Sequence, residues 1–130
     1  MADTVLELEV PARFQQVASL RRAADAFLHE STDAHLRHTL LLVVSELCTN
    51  AIEALQDKQA QLTLRVRDLD KCVVVEVEDS GPGFPTGTGR RGSDAEDERG
   101  RGLQVVRALV DELTVERTQG CTTVRCTVAK

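Results

Sequence analysis

Leu62-Thr63-Leu64-Arg65-Val66-Arg67, followed after a short break by Cys72-Val73-Val74-Val75-Glu76-Val77-Glu78-Asp79 and then Ser80-Gly81-Pro82-Gly83, is the stretch on which the fold turns. Leu62, Leu64 and Val66 alternate with Thr63, Arg65 and Arg67, and the turn-like residues Asp68 to Lys71 precede a second alternating run, so the segment predicts a β-hairpin. The period of two that carries Val73, Val75 and Val77 inward also carries Asp79 inward, at the strand's end, and puts Glu76 and Glu78 on the outward face. An inward carboxylate running straight into Ser80-Gly81-Pro82-Gly83 brings an acceptor and bare backbone to one spot, which suits the exocyclic amino group of a base. Asp also organises turns without any ligand, and the Asp-x-Gly-x-Gly pattern is too short to decide between the two.

On the amino-terminal side of the hairpin, residues 4 to 10 alternate and meet Pro11, which suits the first turn of a helix. Phe14, Val17, Leu20, Ala24, Phe27 and Leu28 recur at helical spacing to about residue 29, and Ser31, Thr32 and Asp33 offer caps for a second, longer helix reaching about Asp57. On the carboxy-terminal side, Ser80 to Gly102 carries no apolar periodicity, and a loop that long in a compact domain is usually functional or disordered. Leu103, Val106, Leu109 and Val110 predict a third helix, and alternating runs at 113–117 and 122–128 around Gln119-Gly120 predict a second hairpin. The order strand, helix, helix, hairpin, loop, helix, hairpin predicts an α+β two-layer fold, with three helices on one face of a mostly antiparallel sheet.

Length and composition fit that picture. The 130 residues suit one domain, and 42% hydrophobic with 28% charged content is ordinary for a globular chain. With only Phe14, Phe27 and Phe84 as aromatics, the core falls to Leu, Val, Ala and Ile, and there is no stacking platform for single-stranded nucleic acid. The net charge of −5 adds repulsion from phosphate backbones, so direct nucleic-acid binding is not expected. No apolar run approaches a membrane span and the amino terminus lacks the layout of a signal peptide, so a cytoplasmic protein is expected. Cys48, Cys72, Cys121 and Cys126 form no C-x-x-C pair and predict reduced thiols rather than a metal site.

Two further places break the apolar pattern. On the second helix Leu36, Leu40, Val43, Leu47, Ala51 and Ala54 share one arc, and Asn50 lies inside it with Glu46 at its margin one turn earlier. A buried amide or carboxylate without a partner costs a few kcal/mol, so an internal network or a ligand must satisfy them. Gly100-Arg101-Gly102 directly precedes the third helix, where unpaired N–H groups and the positive end of the helix dipole favour an anion. Arg90, Arg91, Arg99 and Arg101 crowd the same loop, although its acidic residues can pair with them.

Taken in order, Glu46-Leu47-Cys48-Thr49-Asn50-Ala51, Asp79-Ser80-Gly81-Pro82-Gly83 and Gly100-Arg101-Gly102-Leu103 resemble the N, G1 and G2 boxes of the gyrase, histidine kinase and MutL type of ATPase, with its Bergerat fold. The small size and the run Gly102 to Val106 resemble most the stand-alone anti-sigma-factor serine kinases of that superfamily. The resemblance implies one ATP-binding domain over residues 1–130, a mixed but mostly antiparallel sheet and a flexible ATP lid at about 83–100. It implies ATP and Mg2+ as cofactors, with Asn50 as the magnesium ligand and Asp79 accepting from the adenine amino group. Gly81 and Gly83 would let backbone approach the nucleotide, and Gly100, Arg101, Gly102 and Leu103 would close over the phosphates. Glu46 would be the catalytic general base.

The activity implied is an ATP-dependent serine kinase that phosphorylates a STAS-like anti-sigma-factor antagonist and, in its other state, holds a sigma factor. Two other readings stay open at this point: a nucleotide-gated binding module that transfers no phosphate at a useful rate, and a detached histidine-kinase-type ATPase domain. Strand 4–10, if it forms an edge, is available to pair across a homodimer.

Overall fold

The computed structural model describes residues 4–55, 59–80, 103–118 and 120–130. Among the described residues there are five strands: β1 (Thr4–Pro11), β2 (Gln61–Asp68), β3 (Cys72–Ser80), β4 (Glu112–Thr118) and β5 (Cys121–Ala129). The described helices are α1 (Val17–Leu28), α2 (Ala34–Ala54) and α3 (103–109), with a single 3-10 turn at Phe14–Gln16 before α1. The sheet order is β1-β2-β3-β5-β4, and every described pairing is antiparallel.

Leu62, Leu64 and Val66 face the helices from β2, Val73, Val75 and Val77 from β3, and Val124, Cys126 and Val128 from β5, and all nine are buried. Leu20, Ala24 and Leu28 of α1 and Leu40, Val43, Val44, Leu47 and Ala51 of α2 complete this one core. The helical and strand periods read from the sequence therefore meet in a single layer boundary, burying branched aliphatics at about 1.5–3 kcal/mol each.

Element ends differ from expectation in places with local causes. Pro11 does not open a helix: it closes β1 opposite Gln61, and the chain passes through the 3-10 turn before α1 begins at Val17. Proline is tolerated there because β1 is an edge strand, where one absent N–H leaves the sheet intact. Of the three capping candidates before α2, Asp33 takes the role, its Oδ1 accepting from the Leu36 N–H at 2.7 Å. Thr32 instead donates to the Leu28 carbonyl at 2.7 Å, finishing α1. Helix α2 stops at Ala54 rather than about residue 57, because Leu55 turns to extended backbone (φ −84°, ψ 135°) to start the return to β2. At the β4–β5 hairpin Thr118 pairs with Cys121, so only residues 119 and 120 reverse the chain, and Gly120 supplies the positive φ of 71°.

The outer face of the sheet carries no helix among the described residues, yet it is not simply solvated. Glu76, expected outward, does lie on that face but is only 3% exposed. Arg65 and Arg67 stand 3.8 and 3.7 Å from its Oε1, and Arg125 donates to its Oε2. Arg65 also pairs with Glu7 and Glu78, each at 2.9 Å, linking β1, β2 and β3 in one charged lattice.

Candidate functional site

The direction of α2 decides where its polar residues lie. Ser31, just before the helix, lies near enough to Asp68 at the end of β2 to help lower its pKa. At its other end, Ala54 leads through residues 55–60 to Gln61, which begins β2 opposite Ser80 of β3. A helix of 21 residues spans roughly 30 Å, about the length of the strands beneath it. Asn50, in its last turns, therefore lies toward the end of the layer where β3 finishes with Asp79 and Ser80.

The flank of α2 follows from one contact. Ser45 accepts from Arg21 of α1 at 3.4 Å, so it marks the side facing α1. At about 100° per residue, Glu46 is turned one step away from that side and Asn50 roughly 140° away. Both point to the flank opposite α1, over the middle of the sheet. Asn50 is 6% exposed, and its Nδ2 has no hydrogen-bond partner among the described residues. Glu46 is half-buried, and its carboxylate makes no hydrogen bond or ion pair among the described residues. Cys48, between them in sequence, faces the core, and burial pushes its thiol up to about 12, so it stays a neutral packing group.

Asp79 is 2% exposed on the inner face, between Leu62 of β2 and Thr122 of β5 in register. The period-two reading that placed it inward is correct. Thr122, itself buried, was not singled out from the sequence, although the signal was there: it heads the inward series Thr122, Val124, Cys126, Val128. The thiol of the neighbouring Cys121 is raised by desolvation and by the charges of Glu78 and Asp79.

The structure thus brings Glu46, Asn50 and Asp79 to one end of the helix–sheet boundary. Leu103 is buried at the start of α3, in the common core. Gly81, Gly83, Gly100, Arg101 and Gly102 lie outside the described residues, as do the lid at about 83–100 and its arginines.

A nucleotide with its cation fits what is present. The orphaned amide nitrogen of Asn50 is the kind of group a ligand satisfies, and a half-turn about χ2 exchanges its oxygen for its nitrogen at the same place. Among the described residues no cluster of three or more His, Cys, Asp or Glu could hold a metal ion. A cation here would be one held mainly by phosphate oxygens and water with a single amide ligand, which is magnesium's habit. Asp79 has the chemistry to accept from a base amino group.

Comparison with known proteins points the same way. No curated protein matches the sequence significantly. Among solved structures, the chain is similar to one described as the RsbU and RsbW domains of Rv1364c from Mycobacterium tuberculosis, with a TM-score of 0.70 at 20% identity. The match covers 98% of this chain but 33% of that one, so the chain spans about a third of its length, and at that identity the likeness speaks for the fold. A family model described as the histidine kinase-like ATPase domain matches residues 10–128, nearly the whole chain. With that match over nearly the whole chain, the chain belongs to the histidine kinase-like ATPase domain family and is an ATP-binding domain of that kind.

Proposed function

We propose that the chain is an ATP-dependent protein serine kinase and anti-sigma factor, acting in the cytoplasm on a STAS-like anti-sigma-factor antagonist and holding a sigma factor in its other state. The observation that carries the reading is the buried Asn50 side chain, whose amide nitrogen has no hydrogen-bond partner among the described residues, one turn from a half-exposed Glu46 on the same flank of α2. A structural asparagine in a core is normally hydrogen-bonded, and one left open beside a carboxylate that solvent can reach suits a bound cation and an incoming hydroxyl. The likeness to a protein whose description names RsbU and RsbW domains supports the regulatory setting.

In this reading Asn50 would hold Mg2+ through its amide oxygen, and the ion would neutralise the phosphate charge. Asp79 accepts a hydrogen bond from the base amino group and fixes that end of the nucleotide. Gly81 and Gly83 would let backbone approach the nucleotide, and Gly100, Arg101, Gly102 and Leu103 would belong to its phosphate end. Glu46 takes the proton from a serine Oγ as the oxygen–phosphorus bond to the γ-phosphate forms and the bond to the leaving ADP breaks. Positioning and charge neutralisation, with one carboxylate for the proton, are the main demands of phosphoryl transfer.

The test is incubation with γ-labelled ATP and candidate antagonist proteins. Acid-stable label on serine is expected, and Glu46→Ala should slow transfer by roughly two to four orders of magnitude while nucleotide still binds. Acid-labile label would assign the domain to histidine phosphotransfer, and equal transfer by wild type and Glu46→Ala would remove Glu46 from its role.

A further inference from the structure

Counting back from Asn50 in steps of four along α2 gives Glu46, Leu42 and His38. Each step moves about 6 Å along the axis and turns about 40°, so the four side chains form one ridge that winds slowly across the helix. Exposure falls along it: His38 is exposed, Leu42 is 38% exposed, Glu46 is half-buried and Asn50 is 6% exposed. The ridge starts in solvent and ends in the site, and the carboxylate stands where it crosses from one to the other.

The solvent side of this stretch is short of charge. Between Ala34 and Asn50 the only acidic, lysine or arginine side chains are Arg37 and Glu46. Arg37 is drawn to the end of α1, where it meets Asp25 at 3.3 Å and the carbonyls of His29 and Thr32. The exposed positions are Ala34, His35, His38 and Leu42, whereas α1, although shorter, carries Arg21, Arg22 and Asp25. A helix face left to water normally carries charge, and depletion of charge marks the centre of a protein interface. A single exposed leucine needs no explanation by itself. Its place, one turn from Glu46 on a charge-poor face, is what calls for one.

We propose that Leu42, with His38 beyond it, is the docking surface for the phosphoacceptor protein, which presents an apolar, charge-poor patch beside its serine. The inference rests on the kinase reading of the site. A general base must come within about 3 Å of the hydroxyl it deprotonates. A folded protein that docks specifically covers roughly 800 Å² of its partner, a patch about 16 Å in radius. Leu42 is about 6 Å from Glu46 along the helix and on its solvent side, well inside that radius. A protein substrate that reaches the carboxylate therefore covers the leucine, and a water molecule reaching the same carboxylate does not.

Steady-state kinetics with γ-labelled ATP and the antagonist protein that the wild-type chain labels on serine test this on the full chain. Leu42→Gln keeps the length of the side chain but not its apolar surface. It should raise KM for the antagonist by roughly ten- to a hundredfold, the range of an interface anchor, while kcat and calorimetric ATP affinity hold. Leu42→Met should restore most of the loss. Val5→Gln is the control, because Val5 is 56% exposed but lies on the outer face of the sheet, and that variant should keep the wild-type KM. If Leu42→Gln does not fold, Leu42→Ala gives the same comparison. An unchanged KM in the Leu42 variants, or an equal rise in Val5→Gln, would overturn the assignment. So would unchanged kinetics accompanied by lost capture of a sigma factor or by loss of a dimer in sedimentation, since the face would then belong to that occupant. Failure of the wild type to label any antagonist would instead sink the proposed function as a whole.

Discussion

Asn50 and Asp79 were legible for the same reason, that each is polar where a period demands an apolar side chain. The helical period put Asn50 among Val43, Leu47 and Ala54, the strand period put Asp79 in line with Val73, Val75 and Val77, and both residues are buried. Thr122 carries the same kind of signal more quietly, since threonine is common in strands. The residues between Gly81 and Gly102 were readable only as motifs, because no periodicity runs through them. An amide nitrogen without a partner in the core holds back stability by about 1–3 kcal/mol. Asn50→Ala is therefore expected to leave urea-melt stability within about 1 kcal/mol of wild type, the relief offsetting the lost packing, while magnesium-dependent ATP binding disappears. Unchanged calorimetric affinity would refute the ligand role, and a loss of several kcal/mol would show that the amide is structural.

Strands show where sequence reading stops. Alternation told which face Glu76 occupies, but not that Arg65, Arg67 and Arg125, drawn from β2 and β5, close over it, because cross-strand neighbours depend on register and a register is set by the whole sheet. Pro11 was misread for a related reason: its fixed φ suits a helix start and an edge-strand end alike, and only the pairing with Gln61 separates them. Glu76→Gln would leave three guanidinium groups without their shared counter-charge. These arginines are 26%, 49% and 43% exposed, which discounts the effect to about 1–3 kcal/mol. Nucleotide affinity should not move, since the carboxylate lies on the face away from the site. A stability change below about 0.3 kcal/mol would mean that the lattice is ornamental.

Across the whole molecule, the two ends of the sheet are finished differently. At one, Asp68 pairs with Lys130, Asp111 accepts from the Ala129 N–H at 2.7 Å, and the Lys130 N–H bonds to the Lys71 carbonyl at 2.9 Å. At the other lie Asp79 and Thr122, beneath the helix turns that bear Glu46 and Asn50. Desolvation alone would raise the Asp68 carboxyl, but the paired Lys130 and the nearby Ser31 outweigh it and hold it below its ordinary value. A folded value below the unfolded one means that the pair stabilises fully above about pH 4 and loses that contribution as pH falls through the folded value. Asp68→Asn should cost about 0.5–1 kcal/mol at pH 7 and progressively less in acid, with ATP affinity unchanged throughout. A penalty that stays constant down to pH 2 would disprove the ionic origin.

The spacing between Glu46 and Asn50 is an angle before it is a length. Four residues return α2 to nearly the same heading, and that shared heading turns both side chains from α1 toward the ligand. One extra residue between them would preserve the helix and nearly all of the composition, yet it would rotate everything beyond it by about 100°, taking Asn50 off the heading it shares with Glu46. Within that interval Leu47 and Cys48 stay bound by the core they fill, while the count between the carboxylate and the amide is what holds the two polar groups on one heading.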